Sequence, residues 1–281
     1  FIVKNAPCST FLCYTFGDGH EGEDHCCPTR NRPRFGPTIF IFYDGEFKNQ
    51  ETYMTRTVAQ IEVDGGTDEL RRDDYFPTLI YSTMLNDRES MNKTILEAIY
   101  AERDKDNKGI ERSNIRALGG WHSHNNLHKE EAFDPLTKRI NKMLGGVSTN
   151  LGYDPASYLA VSTMWSITNP PGSSNRAHVH PGALWSGVYY VQAPEGAGNI
   201  DFTDPRTVQI MSSPSYTPKK KRKTECWSKV NVKPVPGKLL FFPSWLYHSV
   251  APNLAKGDGP ESERIIISFN INQRRRNKKS K

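Results

Sequence analysis

From residue 158 onward the chain is a succession of short apolar segments separated by turns that contain glycine or proline. The segments are rich in β-branched and aromatic residues, which favour extended structure. They predict strands over 159–167, around the His178-x-His180 segment, and over 185–192, 199–202, 207–210, 227–232, 238–242, 245–250 and 264–271. Many short strands at close intervals are typical of a sandwich or a jelly roll.

The segment before these strands favours helices. Apolar residues at helical spacing predict a helix over 88–102. A second helix is predicted over 130–144, ended by Gly145 and Gly146. Helices followed by strands give a mainly β protein with buttressing helices, of the α+β class.

The sequence predicts four parts of unequal character. Residues 1–70 form an N-terminal extension, 71–273 the main domain, 212–226 a basic loop inserted in it, and 274–281 a basic tail. Strands are also predicted over 39–43 and 57–63. The extension holds a group of residues that could bind zinc or form disulfides, although their spacing fits no standard zinc signature: Cys8, Cys13, Cys26, Cys27, His20 and His25.

The formal charge of +6 is concentrated in short stretches. The tail holds six basic residues, and the rest of the chain has as many basic as acidic residues. A protein whose whole surface binds nucleic acid is therefore not indicated. The run Lys219–Lys223 has the composition of a nuclear localisation signal, and this run and the tail predict an accessory nucleic-acid contact.

The expected location is intracellular, either cytoplasmic or nuclear. No apolar run is long enough to span a bilayer, so we expect a soluble protein without a membrane partner. The unpaired Cys226 fits a reducing compartment.

Two histidines one residue apart, His178 and His180, indicate a metal site. On an extended segment their side chains point to the same side, about 7 Å apart along the strand, and can converge on one ion. His248, at the end of another apolar run, is the candidate third ligand. The alternative is an exposed turn pair with no ligand. Three further histidines, His122, His124 and His128, are expected in a solvated loop.

The sequence resembles a known family over about residues 75–272. Five motifs carry the resemblance, in this order: His178-x-His180, 186–191 (SGVYYV), 199–206 (NIDFTDPR), 236–248 (PGKLLFFPSWLYH) and 264–270 (RIIISFN). Together they resemble the 2-oxoglutarate/Fe(II)-dependent oxygenases that are prolyl-hydroxylase-like. Within these, the chain is most similar to an uncharacterised group common in marine phages and bacteria. The resemblance implies a double-stranded β-helix, or jelly roll.

The resemblance also implies an activity and a set of site residues. It implies a dioxygenase, in particular a hydroxylase that couples decarboxylation of the cosubstrate 2-oxoglutarate to oxidation of a substrate. It places His178 as the first Fe(II) ligand and His248 as the distal one. It places Arg264 against the far carboxylate of 2-oxoglutarate, with Tyr190 beside it. The substrate is left open among a protein side chain, a nucleic acid and a small molecule.

One position departs from the family pattern. His180 stands where the family has an Asp or Glu ligand, so the usual two-His-one-carboxylate triad is not formed by this motif. Either three histidines bind the metal, which we favour, or Asp201 or Asp204 supplies the carboxylate. Two other functions stay open, namely a three-His zinc hydrolase and a non-catalytic β-helix module that binds through its basic loops.

Overall fold

The computed structural model describes residues 56–206, 211–218 and 221–276, and the chain divides into the units 1–74 and 75–281. In the first unit, β1 (Arg56–Val63) pairs with β2 (Gly66–Arg72) as an antiparallel hairpin. The cysteine-rich segment, the strands predicted over 39–43 and 207–210, and the end of the tail lie outside the described residues. The division into parts drawn from the sequence stays a prediction.

In the described part of the second unit there are three α-helices: α1 (Arg88–Arg103), α2 (Lys108–Arg112) and α3 (Asp134–Asn150). The prediction for α1 is confirmed, whereas the predicted end of α3 is wrong, because the helix continues through both glycines. A glycine costs a helix only about 1 kcal/mol, and Leu144 and Val147 are buried on either side of the pair. Over the described ranges, no helix combines the length and the apolar character that a membrane span requires.

The residues described in this unit also form ten strands. They are β3 (Tyr81–Met84), β4 (Trp121–His122), β5 (Ser157–Asn169), β6 (Asn175–His178), β7 (Trp185–Gln192), β8 (Ile200–Thr203), β9 (Lys229–Val232), β10 (Lys238–Pro243), β11 (His248–Val250) and β12 (Arg264–Arg275). Antiparallel pairing gives a six-stranded sheet, β3-β10-β7-β12-β5-β4, and a four-stranded sheet, β6-β11-β8-β9.

The large sheet separates two apolar clusters. Its strands alternate, so that Ile265 and Ile267 of β12 join a cluster with Ile95 of α1 and Leu136 of α3. Ile266, from the opposite face of the strand, joins a second cluster that includes residues of the small sheet. Helices therefore cover one face and the small sheet covers the other. Two facing antiparallel sheets with buttressing helices confirm the mainly β, double-stranded β-helix prediction.

Candidate metal centre

Three histidines that are distant in the sequence meet between the sheets. His178, the last residue of β6, pairs directly with His248, the first residue of β11, and their ring centroids are 4.3 Å apart. His180 lies in the turn beyond β6, held by a hydrogen bond from its N–H to the Ser244 carbonyl at 2.9 Å. Its ring centroid lies 5.3 Å from that of His178 and 5.1 Å from that of His248. One ligand atom from each residue lies within 4.8 Å of the other two.

The hydrogen bonds of the three rings leave one nitrogen of each ring free for a metal. His178 and His248 each donate from Nδ1 to the backbone oxygen two residues earlier, at 2.7 and 2.9 Å. His180 donates from Nδ1 to the side-chain oxygen of Asn270 at 2.8 Å. An oxygen acceptor fixes the proton on Nδ1, so Nε2 keeps its lone pair. In metal-binding histidines, the ring nitrogen that does not bind the metal usually donates a hydrogen bond to an oxygen atom.

Burial keeps two of the imidazoles neutral. It lowers the pKa of His248 to about 4. Burial also lowers the pKa of His180, partly opposed by the hydrogen bond to Asn270. A neutral imidazole is the form that binds a metal ion, so near neutral pH these two rings need lose no proton to act as ligands.

The candidate carboxylates are engaged elsewhere. Asp201 forms an ion pair with Lys229 at 2.7 Å, and Asp204 forms one with Arg206 at 2.9 Å. Among the described residues, the metal-capable group at this place consists of the three histidines alone. The donor set is therefore three neutral nitrogens, which suits a divalent transition metal.

A second group of potential ligands, Glu102, His124 and Glu130, does not fit a metal in the same way. His124 Nε2 lies 2.7 Å from Glu130 and 3.5 Å from Glu102. Its Nδ1, however, accepts a hydrogen bond from the backbone N–H of Asn126 at 3.1 Å. The proton of a neutral ring must then sit on Nε2, where it is donated to a carboxylate. Nε2 of His124 therefore carries a proton, whereas Nε2 of His178, His180 and His248 carries the lone pair that a metal ion needs.

The loop that contains these residues is less solvated than the sequence predicts. His122 is half-buried and stacks on Trp165, with ring centroids 5.9 Å apart and planes 9° apart. Trp165 in turn stacks on His180 at 6.0 Å. The prediction of a solvated loop is therefore wrong for His122. Side chains alternate between the two faces of β5, and this alternation points Trp165 toward the space beside the three histidines, where it stacks on His122.

A small cavity of about 60 Å³ leads from the histidines to Arg264. Arg264 begins β12 and is 1% exposed. Its Nη1 donates to the carbonyls of Ala197 and Ala251. Its Nε and Nη2 are buried and have no hydrogen-bond partner. Two free N–H groups on one edge of a guanidinium match the two oxygens of a carboxylate.

The charge states at this end of the cavity also suit a carboxylate ligand. Burial lowers the pKa of Arg264 to about 10, so the guanidinium keeps its charge near neutral pH. Tyr190 is 2% exposed and lines the same cavity. Burial raises the pKa of its phenol, partly opposed by the charge of Arg264, so the hydroxyl stays protonated and can donate. The residues present therefore fit both a divalent metal and a carboxylate-bearing cosubstrate.

Reasoning from the sequence did not identify Asn270 as part of this site. It lies on the same face of β12 as Arg264, three alternations along the strand. Alternation from Arg264 would have placed it on the face of β12 that borders the cavity, but its contact with His180 spans 90 positions of the sequence. Nothing in the local pattern marks that contact.

The family comparison agrees with this chemistry. Residues 163–270 match the model of the family described as "Putative 2OG-Fe(II) oxygenase". This segment contains the three histidines, Tyr190, Arg264 and Asn270. The fold and the site define a non-haem metal oxygenase with a double-stranded β-helix. More particularly, residues 163–270 match the 2-oxoglutarate/Fe(II) oxygenase family, whose cofactors are Fe(II) and 2-oxoglutarate.

Solved structures show a likeness at low sequence identity. A prolyl-4-hydroxylase of Pseudomonas putida is 17% identical, with a TM-score of 0.46, over 71% of this chain and 94% of that one. The viral collagen prolyl hydroxylase of Paramecium bursaria Chlorella virus-1 is 16% identical, with a TM-score of 0.41, over 68% and 94%. HygX from Streptomyces hygroscopicus is 11% identical, with a TM-score of 0.45, over 69% and 82%.

All three TM-scores lie below 0.5, so these likenesses give no evidence on the substrate. No curated protein matches the sequence significantly.

Proposed function

We propose that His178, His180 and His248 bind Fe(II) through Nε2, and that Arg264 and Tyr190 bind the far carboxylate of 2-oxoglutarate. The reaction proposed is hydroxylation of a substrate by O2: one oxygen atom enters the substrate as a hydroxyl group, and the other enters succinate as 2-oxoglutarate loses carbon dioxide. The observation that supports it best is that one cavity joins three metal-competent imidazoles to a buried guanidinium with two unpaired donors.

The chain's own residues would bind the metal ion, orient the 2-oxoglutarate and exclude water. When bound, the iron would activate O2, the oxidant, and 2-oxoglutarate would supply two of the four electrons that O2 takes up; the substrate supplies the other two. Arg264 neutralises the far carboxylate and fixes its direction in the cavity. The Tyr190 hydroxyl would donate a further hydrogen bond to the same carboxylate. Apolar side chains between the two ends, Val188, Phe242 and Ile266, keep water from the reacting atoms.

The first test measures metal content and succinate formation. With Fe(II) and 2-oxoglutarate, wild type should form succinate, and under anaerobic conditions it should show a weak visible charge-transfer band. His180→Ala should lose both, because two ligands remain. His124→Ala is the matched control, since it removes a histidine from the second cluster and should keep both signals. Loss in His124→Ala with retention in His180→Ala would refute the assignment.

A three-His zinc hydrolase is the less favoured function. Such an enzyme would leave the two unpaired donors of Arg264 without a role. A zinc-loaded sample that hydrolyses a substrate, together with no succinate formation from the iron form, would support it.

We also propose that the basic run makes an accessory nucleic-acid contact. The substrate stays open among a protein side chain, a nucleic acid and a small molecule. Arg222, within the predicted basic run, lies over the ring of Tyr216 at 4.6 Å. Lys219 and Lys220 lie outside the described residues. If the run binds a phosphate backbone, affinity for single-stranded RNA should fall steeply with salt. It should also survive His180→Ala, which would separate it from the oxygenase site.

A further inference from the structure

Asn270 makes two hydrogen bonds at its side-chain oxygen. That oxygen accepts from His180 Nδ1 at 2.8 Å and from the Ser186 hydroxyl at 3.0 Å. Asn270 and Ser186 are direct cross-strand partners on β12 and β7. The amide is therefore held from the sheet, with its oxygen turned toward the imidazole.

His180 depends on this contact in a way that the other two ligands do not. His178 and His248 are fixed by backbone oxygens two residues earlier, so the neighbouring backbone sets their tautomer. His180 lies beyond the end of β6, and its Nδ1 uses a side chain 90 positions away. The tautomer of His180 is therefore set by a tertiary contact.

The orientation of the amide decides whether His180 can act as a ligand. With the oxygen toward Nδ1, the ring proton sits on Nδ1 and the Nε2 lone pair faces the other two rings. With the amide reversed, the NH2 group would donate to Nδ1 and the proton would move to Nε2, where it would block a metal. The Ser186 hydroxyl donates to the oxygen in its present position and holds the side chain beside the imidazole.

We infer that Asn270, held by Ser186, is the positioning residue that makes His180 a metal ligand. The inference rests on the proposed function, since it assigns a role at the same metal centre. Asn270 takes the place that a carboxylate or carbonyl has around other metal-binding histidines, and it does so without a charge. Three neutral rings and a neutral amide leave the charge of the metal to be balanced by the cosubstrate.

The test is a titration with Co(II), without 2-oxoglutarate, followed by the visible absorption of the bound ion. Asn270→Leu keeps the size but removes the acceptor, and it should weaken Co(II) binding by about 10- to 100-fold. Asn270→Asp keeps an acceptor oxygen and adds a charge, and it should bind Co(II) at least as tightly as wild type. Ser186→Ala should weaken binding less than Asn270→Leu, since one of two constraints on the amide remains.

Asn272→Leu is the matched control. Asn272 lies on the same face of the same strand and bonds the turn that follows His180, through Gly182 and Leu184, without touching the ring. It should leave Co(II) affinity unchanged if the ring contact is what matters. Equal losses in Asn270→Leu and Asn272→Leu would reduce Asn270 to a packing role and overturn the inference, as would an Asn270→Asp as weak as Asn270→Leu.

A second measurement uses only the wild type. With Zn(II) bound, nitrogen NMR of the imidazoles should show His180 protonated at Nδ1 and coordinated at Nε2. The opposite assignment would overturn the inference and leave the metal site intact. Wild type that binds neither Co(II) nor Zn(II) would overturn the proposed function and the inference with it.

Discussion

Arg264 has buried hydrogen-bond donors that no protein atom of the described residues satisfies. A buried donor without a partner costs about 1–3 kcal/mol, and more when it is charged. Arg264 has two such atoms, Nε and Nη2, although its Nη1 is fully used by backbone carbonyls. The carbonyls hold the guanidinium in place, and Arg264 lines the cavity that leads to the histidines.

Replacing Arg264 with Met should therefore act on cosubstrate binding and spare the metal. The loss of two charge-assisted hydrogen bonds, each worth about 1.5–3 kcal/mol, should raise the dissociation constant of 2-oxoglutarate by about 100-fold or more. Calorimetry on the Zn(II)-loaded protein measures this. Arg274→Met, at the exposed far end of the same strand, should keep wild-type affinity. If Arg264→Met binds 2-oxoglutarate as wild type does, the unpaired donors serve another ligand.

At the scale of single residues, the sequence predicts the site residues that belong to a motif. It does not predict the residues whose role depends on tertiary contacts. The order of the motifs brings out His178, His248 and Arg264, and the structure places all three around one cavity. Asn270 and the stacking of Trp165 between two histidine rings depend on which strands are neighbours. The pairing of β5 with β12 is seen only in the structure.

Among the elements, β7 lies inside the large sheet, between β10 and β12. Gly187 explains how the three strands approach. A Cβ at this position would lie 2.3 Å from the ring of Phe269 and 2.6 Å from the carbonyl oxygen of Leu240. The missing side chain therefore lets an aromatic ring of β12 pack over β7, next to the strand positions that carry Ser186 and Tyr190.

Gly187→Ala should consequently destabilise the protein by roughly 1–3 kcal/mol or more, the usual range for an overpacked core. Gly145→Ala is the contrasting variant. An added Cβ at Gly145 meets nothing within 4 Å in α3, and alanine should stabilise the helix by up to about 1 kcal/mol. Urea unfolding of both variants measures the two signs. A Gly187→Ala protein as stable as wild type would mean that Phe269 can move aside at little cost.

The ends of elements were harder to predict than their existence. The prediction for β7 has the same bounds as the strand, because Pro and Gly residues punctuate both sides. The predictions for β5 and β12 were too short, since these strands continue along each other into polar residues, as Arg275 pairs with Ser157. Partner pairing, which the local pattern does not contain, extends them.

At the scale of the whole molecule, the second unit contains both apolar clusters and every residue that lines the cavity. The first cluster joins α1 and α3 to the large sheet, and the second joins the large sheet to the small one. The two clusters fix opposite faces of the same strands. The position of the metal group relative to Arg264 therefore depends on strand alternation inside this unit, which is a rigid basis for a site of this kind.

A chain limited to residues 75–281 should therefore fold by itself and keep the site. A unit with its own apolar core is expected to unfold as one cooperative transition. The shortened chain should bind 2-oxoglutarate, in its Zn(II) form, with the dissociation constant of the full chain, and Arg264→Met should weaken both to the same extent. Thermal unfolding with and without 2-oxoglutarate gives the second readout, since a ligand at 100 times its dissociation constant stabilises the folded state by about 2.7 kcal/mol. A shortened chain that folds but loses this stabilisation would assign part of the cosubstrate affinity to residues 1–74, and the site would then extend beyond the strands that form it here.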